Sequence, residues 1–244
     1  MSVFTGQTAV ITGASSGIGK AIALGLASRG ATLCLVGRKL ETLEVVVESA
    51  RAQASWVVSY QADLTIDENV RELKAKLQRE FGSIDLLIHC AGVISIGPIE
   101  SAPVEDLDWQ YRINVRGPYF LTQTLLPMLR ARQGQIVFIN SLVGLSAKAG
   151  SSQYSVTKHA LKALADSLRD EVNHDGVRVL SLFLGRTATS MQAAVHGTEG
   201  RPYHPELLIQ PDDVASVVVH ALTLPKTAEI TDIRMRHSTK THQS

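Results

Sequence analysis

The chain has 244 residues, of which 45% are hydrophobic and 5% aromatic, and its 24 Lys and Arg residues against 23 Asp and Glu give a formal net charge of +1. This balance provides no basic excess to attract nucleic acid or an anionic membrane, so we expect neither as a partner. The N-terminus lacks the residue order of a signal peptide, and the longest nearly apolar stretch, 86–97, is too short to cross a bilayer, which predicts a cytoplasmic protein.

Short apolar, β-branched runs alternate with helical patterns along the chain. The expected strands cover residues 8–12, 32–36, 56–60, 84–90, 135–140, 177–184 and 229–235. The first expected helix follows the first strand and ends at Gly30. Further helices are expected over residues 40–50, 69–81, 104–132 and 153–173, and a last one begins at Pro211. This alternation predicts an α/β protein in which seven strands form a parallel sheet with helices on both faces.

No linker or repeat interrupts this pattern, so we expect one domain over residues 1–244 with a polar tail at 236–244. The segment 186–210 shows no clear periodicity and follows the carboxyl end of a strand, where ligands bind in open α/β sheets. The segment is therefore a candidate substrate lid, and an ordinary surface loop is the alternative.

The first predicted strand runs into the turn Thr12-Gly13-Ala14-Ser15-Ser16-Gly17-Ile18-Gly19, from which a helix continues. Glycines allow such a backbone to bend tightly and approach a pyrophosphate, and the helix N-terminus attracts the anion. The turn therefore predicts dinucleotide binding. Its Gly-x-x-x-Gly-x-Gly spacing differs from the common Gly-x-Gly-x-x-Gly fingerprint, and a purely structural turn is the alternative.

Tyr154 and Lys158 stand four residues apart in a predicted helix and so share one of its faces. A nearby ammonium lowers the pKa of a tyrosine from its usual value near ~10, which makes Tyr154 a candidate general acid and base. Two solvated helix residues are the alternative for this pair alone. Ser141 favours a site, because it follows a predicted strand at the sheet edge to which the glycine turn also points.

Together these residues resemble the short-chain dehydrogenase/reductase family, and the resemblance covers nearly the whole chain. Residues 12–19 are similar to the cofactor turn of the family, Asp63-Leu64 to its adenine-side pair, and Ala91-Gly92 to the end of its Asn-Asn-Ala-Gly segment. The resemblance implies a single-domain, doubly wound Rossmann-type sheet with strand order 3-2-1-4-5-6-7. It also implies an oligomer, a homodimer or homotetramer packed through the long helices before Ser141 and after Ser152.

The resemblance assigns four catalytic positions and a cofactor site. The catalytic positions are Asn114, Ser141, Tyr154 and Lys158. The expected cofactor-binding residues are Gly13, Ser15, Ser16, Gly17, Ile18, Gly19, Arg38, Asp63, Leu64, Ala91, Gly92, Tyr154, Lys158, Gly185, Thr187 and Thr189. Two residues depart from the family pattern, since Cys90 replaces the second Asn of Asn-Asn-Ala-Gly and Leu184 replaces a proline whose loss would loosen the lid hinge.

The implied reaction is hydride transfer between NAD(P)(H) and the carbonyl or alcohol of a small organic molecule. Tyr154 would exchange the proton, Ser141 would bind the substrate oxygen, and Lys158 would lower the Tyr154 pKa and bind the nicotinamide ribose. Asn114 would support a water that links Lys158 to solvent. The alternative is a catalytically idle protein that senses NADP(H) or holds a partner on the same fold.

The end of the second predicted strand indicates which nicotinamide cofactor is used. Gly37 occupies the position where NAD-dependent members usually carry an Asp that binds the ribose 2′-hydroxyl. The next residue, Arg38, offers a planar set of donors to a 2′-phosphate, and Lys39 adds a charge. We therefore expect NADP(H) to be preferred over NAD(H), with simple solvation of a helix start by these two residues as the alternative.

Cys34 and Cys90 lie in apolar runs, as buried thiols do in a reducing compartment. With one strand between them they would be about 9.6 Å apart, beyond the ~7 Å limit of a disulfide, so we expect free thiols. No Cys/His spacing resembles a metal site, and His89 and His159 are interpreted as packed or surface histidines. Arg186, Arg201 and His204 are interpreted as solvated residues, with recognition of an acidic substrate as the alternative.

Overall fold

The computed structural model describes residues 2–238, whose strands form one parallel sheet in the order β3-β2-β1-β4-β5-β6-β7. The strands are β1 (Thr8–Thr12), β2 (Thr32–Gly37), β3 (Trp56–Gln61), β4 (Leu86–His89), β5 (Gln135–Ser141), β6 (Arg178–Leu184) and β7 (Asp232–Met235). The predicted α/β class and the doubly wound Rossmann-type order are confirmed. The order reverses between β1 and β4, which opens a crevice at the carboxyl ends of the strands.

Helices cover both faces of the sheet. They are α1 (Gly17–Ala27), α2 (Leu40–Arg51), α3 (Asp67–Phe81), α4 (Val104–Tyr111), α5 (Gly117–Arg130), α6 (Ser152–Val172), α7 (Ser190–Thr198) and α8 (Pro211–Leu222). Alternate residues of β1 point to opposite faces, so Ala9 and Ile11 join a core with α1, α2 and α8, and Val10 joins one with α3, α5 and α6. In the described part of the chain, no helix is long and apolar enough to span a membrane.

The structure corrects the bounds of two predicted strands. The strand expected over 84–90 is only Leu86–His89, and the strand expected from residue 229 begins at Asp232. The Glu229 carboxylate accepts a hydrogen bond from the backbone N–H of Val179 at 3.0 Å. A side chain therefore takes the place of a strand partner at this end of β6, and main-chain pairing with β7 starts later.

The helix expected over 104–132 is interrupted. A π-helical turn, Arg112–Arg116, separates α4 from α5. Pro118 has no N–H to donate to the carbonyl of Asn114 four residues earlier, so regular α-helical bonding cannot continue through this point. The wider π-helical turn accommodates this missing hydrogen bond, and it contains Asn114.

Segment 186–210 contains a helix, α7, where irregular structure was expected. The Thr189 hydroxyl accepts a hydrogen bond from the N–H of Gln192 at 3.2 Å, which caps the first turn of the helix. Nine residues with few apolar side chains leave little periodicity to detect. Of the expected polar tail, residues 239–244 lie outside the described residues.

Candidate active site

The turn between β1 and α1 packs tightly, with Gly13 against the backbone that follows β4 and Gly19 against Gly13 itself. Gly13 has a φ of +64°, and a Cβ atom there would lie 2.7 Å from the nitrogen of Ala91, which follows β4. A Cβ atom on Gly19 would lie 2.3 Å from the carbonyl oxygen of Gly13. Because backbone atoms cannot move aside as a flexible side chain does, only glycine fits at these two positions.

Replacing Gly19 by alanine should therefore lower the melting temperature, since overpacking against backbone costs about 1–3 kcal/mol and displaces the turn. Gly25→Ala in the same helix is the matched control. Its Cβ atom would meet Val219 at an ordinary 3.4 Å, and alanine favours the helix. Thermal unfolding of both variants tests this expectation, which is wrong if the two have the same melting temperature.

A cleft with about 1090 Å³ of open space lies along this turn, at the carboxyl ends of the central strands. The predicted residues that line it are Gly13, Ser15, Ser16, Gly17, Ile18, Gly19, Arg38, Asp63, Leu64, Ala91, Gly92 and Thr189. The lining also contains Val36, Ala62, Val93 and Ile113, which were not predicted. These residues carry no motif, and only their place at strand ends or in the π turn brings them to the cleft.

Four residues expected to bind the cofactor are not in the cleft lining: Tyr154, Lys158, Gly185 and Thr187. Thr187 is buried and pairs with Ile209, and its hydroxyl donates to the carbonyl of Gly185 at 3.2 Å. The N–H of Gly185 donates to the carbonyl of Met235 at 2.8 Å. These contacts anchor the start of segment 186–210 to the sheet edge.

The N-terminus of α1 opens into the cleft without a side-chain partner. Its N-cap residue, Ser16, makes no side-chain capping bond, and the first turn contains no acidic residue. The unpaired N–H groups and the positive end of the helix therefore remain available to an anion.

The far end of the cleft carries the residues expected on the adenine side. Arg38 is exposed at its mouth, and the Gln61 amide donates to the Arg38 carbonyl at 2.9 Å, which fixes the local backbone. The Asp63 carboxylate accepts hydrogen bonds from the N–H and hydroxyl of Thr65, at 2.9 and 2.7 Å. Asp63 thus holds the turn that presents Leu64 to the cleft.

At the inner end, β5 and α6 bring Ser141, Tyr154 and Lys158 together. The Lys158 ammonium is buried, donates to the carbonyl of Ile139 at 3.1 Å and lies 5.7 Å from the centre of the Tyr154 ring. A Cβ atom on Gly92, which lines the cleft, would lie 3.9 Å from this ammonium. Lys158 is therefore close to the bottom of the cleft.

Asn114 joins the loop after β4 to α6. Its side-chain oxygen accepts the N–H of Val93 at 2.8 Å, and its amide nitrogen donates to the Val93 carbonyl at 2.9 Å and to the Thr157 hydroxyl at 3.1 Å. Thr157 is the neighbour of Lys158. A Cβ atom on Gly92 would lie 3.4 Å from the Asn114 side-chain oxygen and 3.9 Å from the Lys158 ammonium, so the π turn places Asn114 near Lys158.

Burial controls the protonation of the tyrosine and lysine. It raises the pKa of Tyr154 to about 12, partly offset by a hydrogen bond with Ser141, and lowers the pKa of Lys158 to about 8. In the chain alone, the pKa of Tyr154 is therefore raised and not lowered as expected, because removal of the phenolate from water outweighs the hydrogen bond with Ser141.

Both departures from the family pattern have a clear structural setting. The backbone N–H groups of Cys90 and Ala91 donate to the Thr12 hydroxyl, each at 3.2 Å, which joins the ends of β1 and β4. Leu184 is buried as the last residue of β6, paired with Ser141 on one side and Met235 on the other. Strand pairing therefore holds the hinge where a proline was expected to stiffen it. Both cysteines are free thiols.

An ion pair connects the two ends of α7. The Arg186 guanidinium donates to the Glu199 carboxylate at 2.5 Å, and this bond holds the pKa of Glu199 below its usual range. Arg186 is therefore neutralised inside the segment, which disfavours the alternative that it faces an acidic substrate. The segment also packs on the glycine turn, because a Cβ atom on Gly17 would lie 3.1 Å from the Thr189 methyl group.

His89 is a packed core residue, as interpreted from the sequence. It is buried, stacks on Phe138 with ring centres 4.8 Å apart, and lies 2.9 Å from the Thr122 hydroxyl through its Nε2 atom. Among residues 2–238, no group of three or more His, Cys, Asp or Glu side chains is arranged to hold a metal ion.

Comparisons with known proteins agree with this geometry. A family model described as short chain dehydrogenase matches residues 7–200. An uncharacterized oxidoreductase of Staphylococcus aureus strain USA300 is 34% identical, covering 97% of this chain and 99% of its own. The structure is also similar to an alcohol dehydrogenase of the archaeon Thermococcus sibiricus complexed with 5-hydroxy-NADP, with 28% identity, a TM-score of 0.87 and coverage of 95% and 97% of the two chains. L-sorbose reductase of Gluconobacter frateurii, complexed with NADPH and L-sorbose, shares 27% identity and a TM-score of 0.87 over 96% and 97%.

Proposed function

This chain belongs to the short-chain dehydrogenase family and is an oxidoreductase, and from that premise we propose that it transfers hydride between NADP(H) and the carbonyl or alcohol carbon of a small organic molecule. The observation that carries the proposal is the cluster of Ser141, Tyr154 and Lys158 next to Gly92, which lines the inner end of the cleft. Neighbouring structures were solved with NADP or NADPH, which supports the same cofactor class.

The cleft fits a dinucleotide in the groups along its lining. The uncapped N-terminus of α1 and the close approach at Gly13 and Gly19 suit a pyrophosphate. Arg38 stands at the opposite end, where a ribose phosphate would reach the mouth of the cleft.

NADPH, when bound, supplies the hydride for a carbonyl carbon, and the protein handles the proton. With a pKa near 12, Tyr154 is protonated at neutral pH and ready to donate to the substrate oxygen, which favours the reductive direction. Ser141 donates a second hydrogen bond to the same oxygen, so two placed donors meet the developing negative charge. Lys158 stabilises the phenolate left on Tyr154 and binds the ribose hydroxyls. Lys158 then gives a proton to the Tyr154 phenolate and takes one in turn from solvent, through a water near Asn114.

NADPH consumption with a panel of aldehydes, ketones and quinones tests the proposed activity. Turnover of at least one carbonyl compound is expected. Tight NADPH binding with no turnover of any compound would instead support an idle NADP(H)-binding protein.

The unmodified protein should prefer NADPH to NADH about ten- to a hundredfold in kcat/KM, because a charged hydrogen bond to the 2′-phosphate contributes about 1.5–3 kcal/mol. Combining Gly37→Asp with Arg38→Leu should shift the preference toward NADH, since the carboxylate accepts from the ribose and repels the phosphate. A Cβ atom on Gly37 would lie 3.3 Å from Leu43, so Gly37→Asn is the matched steric control. Equal kcat/KM for both cofactors in the unmodified protein would contradict the proposal.

A further inference from the structure

We infer that Asn140 is a positioning residue whose side chain fixes the end of β5, with Ser141, against the turn of α6 that carries Tyr154 and Lys158; this inference rests on the proposed function. Asn140 is the sixth residue of β5 and is 3% exposed. Its side-chain oxygen accepts the N–H of Ser141 at 2.7 Å, and its amide nitrogen donates to the Lys158 carbonyl at 3.1 Å. One side chain thus connects the strand to the helix at the inner end of the cleft.

Consecutive residues of β5 hold Lys158 at both of its ends. The Ile139 carbonyl accepts from the lysine ammonium at 3.1 Å, and the Asn140 amide binds the lysine carbonyl. Rotation of the lysine side chain and sliding of its helical turn are therefore both opposed by one short stretch of strand.

The turn after Ser141 closes over this junction. A Cβ atom on Gly144 would lie 2.8 Å from the Asn140 side-chain oxygen and 2.8 Å from the Lys158 carbonyl oxygen. These two oxygen atoms therefore occupy the space that a side chain at position 144 would need, and glycine leaves room for the hydrogen bond between Asn140 and Lys158.

Asn140 acts through its neighbours, because its two side-chain hydrogen bonds go to the backbone of Ser141 and Lys158. The proposed reaction needs Ser141 and Tyr154 to reach the same substrate oxygen, within about 2.6–3.2 Å each. Misplacement of one donor by about 1 Å can cost ~100-fold in rate. A residue that sets the strand-to-helix spacing therefore controls kcat more than affinity for the cofactor, whose main contacts lie at the glycine turn.

The test compares Asn140→Leu, which keeps a similar volume and removes both hydrogen bonds, with Thr122→Val. Thr122 is also 3% exposed, and its hydrogen bond to His89 lies at 2.9 Å between β4 and α5. The melting temperature should fall by a similar amount in both variants. Asn140→Leu should lower kcat about 10- to 100-fold with NADPH dissociation constant changed less than about threefold, and Thr122→Val should retain kcat within about threefold.

A kcat loss in Asn140→Leu no greater than in Thr122→Val overturns the inference. If Asn140→Leu does not fold, Asn140→Ser takes its place under the same criterion, since a shorter hydroxyl cannot bridge both partners. Gly144→Ala should reproduce the kcat loss by displacing the amide.

The proposed function fails separately, if the unmodified protein reduces no carbonyl compound. In that case, the inference about Asn140 is tested by the pH titration of Lys158 in both variants, followed by NMR of its 13Cε atom without cofactor. The midpoint near pH 8 should move in Asn140→Leu and remain in place in Thr122→Val. An unmoved midpoint in Asn140→Leu overturns the inference.

Discussion

Replacing Tyr154 by phenylalanine should lower kcat at least about 100-fold while the NADPH dissociation constant changes less than about threefold. The ring remains and keeps its packing, but the proton donor to the substrate oxygen is lost. Ser141 then remains as the only placed donor to that oxygen in the proposed mechanism. Steady-state kinetics with a carbonyl substrate and fluorescence titration of NADPH measure the two quantities.

Tyr60→Phe is the matched control for this substitution. The Tyr60 hydroxyl donates to Glu80 at 2.6 Å from β3, at the edge of the sheet away from β5 and α6. Removing it deletes a hydroxyl of the same kind without touching the site, so full activity is expected. Retention of most activity by Tyr154→Phe would show that another group provides the proton.

Lys158→Met should reduce kcat/KM at least about 100-fold, since the ammonium is proposed both to stabilise the Tyr154 phenolate and to bind the cofactor ribose. Unlike Tyr154→Phe, this variant should also weaken NADPH binding, about tenfold or more for the loss of a charged hydrogen bond. An unchanged dissociation constant would contradict the second role.

The same substitution should stabilise the protein without cofactor. Burial lowers the Lys158 pKa from 10.5 to about 8, which corresponds to a folding penalty on the order of 3 kcal/mol for the charged form. Methionine removes this penalty and loses the hydrogen bond to Ile139, worth about 1 kcal/mol. A net gain of about 2 kcal/mol predicts a melting temperature about 4–8 °C higher at neutral pH.

The pH dependence has a definite sign. Between pH 8 and 10.5 the unfolded chain binds more protons at Lys158 than the folded chain, so the stability of the unmodified protein rises with pH across that window. The advantage of Lys158→Met should therefore be largest below pH 8 and decline toward pH 10.5. Thermal unfolding at several pH values measures it, and a constant advantage would indicate that desolvation of the ammonium is not its source.

The sequence predicted the sheet well because its central strands are buried on both faces. Residues such as Val10 and Ile11 are apolar without alternation, and such runs are typical of a parallel sheet covered by helices. The glycine turn and the Tyr154–Lys158 spacing were equally readable, since each requires fixed residue types at fixed separations along the chain.

Other features depend on contacts between segments that are distant in sequence, so sequence patterns do not predict them. The π turn at Asn114 follows from a proline four residues later, an effect that helical periodicity does not express. The spacing of Tyr154 and Lys158 predicted a lowered pKa for the tyrosine but not the burial that raises it. Asn140 belongs to no motif, and its role emerges only when β5 and α6 are packed together.

The π turn also fixes the rotational phase between two helices. Deleting one residue from Arg112–Arg116 would remove the wider turn and rotate everything beyond it by about 100°. The face of α5 that buries Leu121, Leu125 and Leu129 would then turn away from the sheet, or Asn114 would turn away from Val93. The one extra residue of the π turn thus allows both orientations within one continuous helical segment. Changes of chain length at this point should be far less tolerated than in the surface loops, although the segment has no length-sensitive motif of its own.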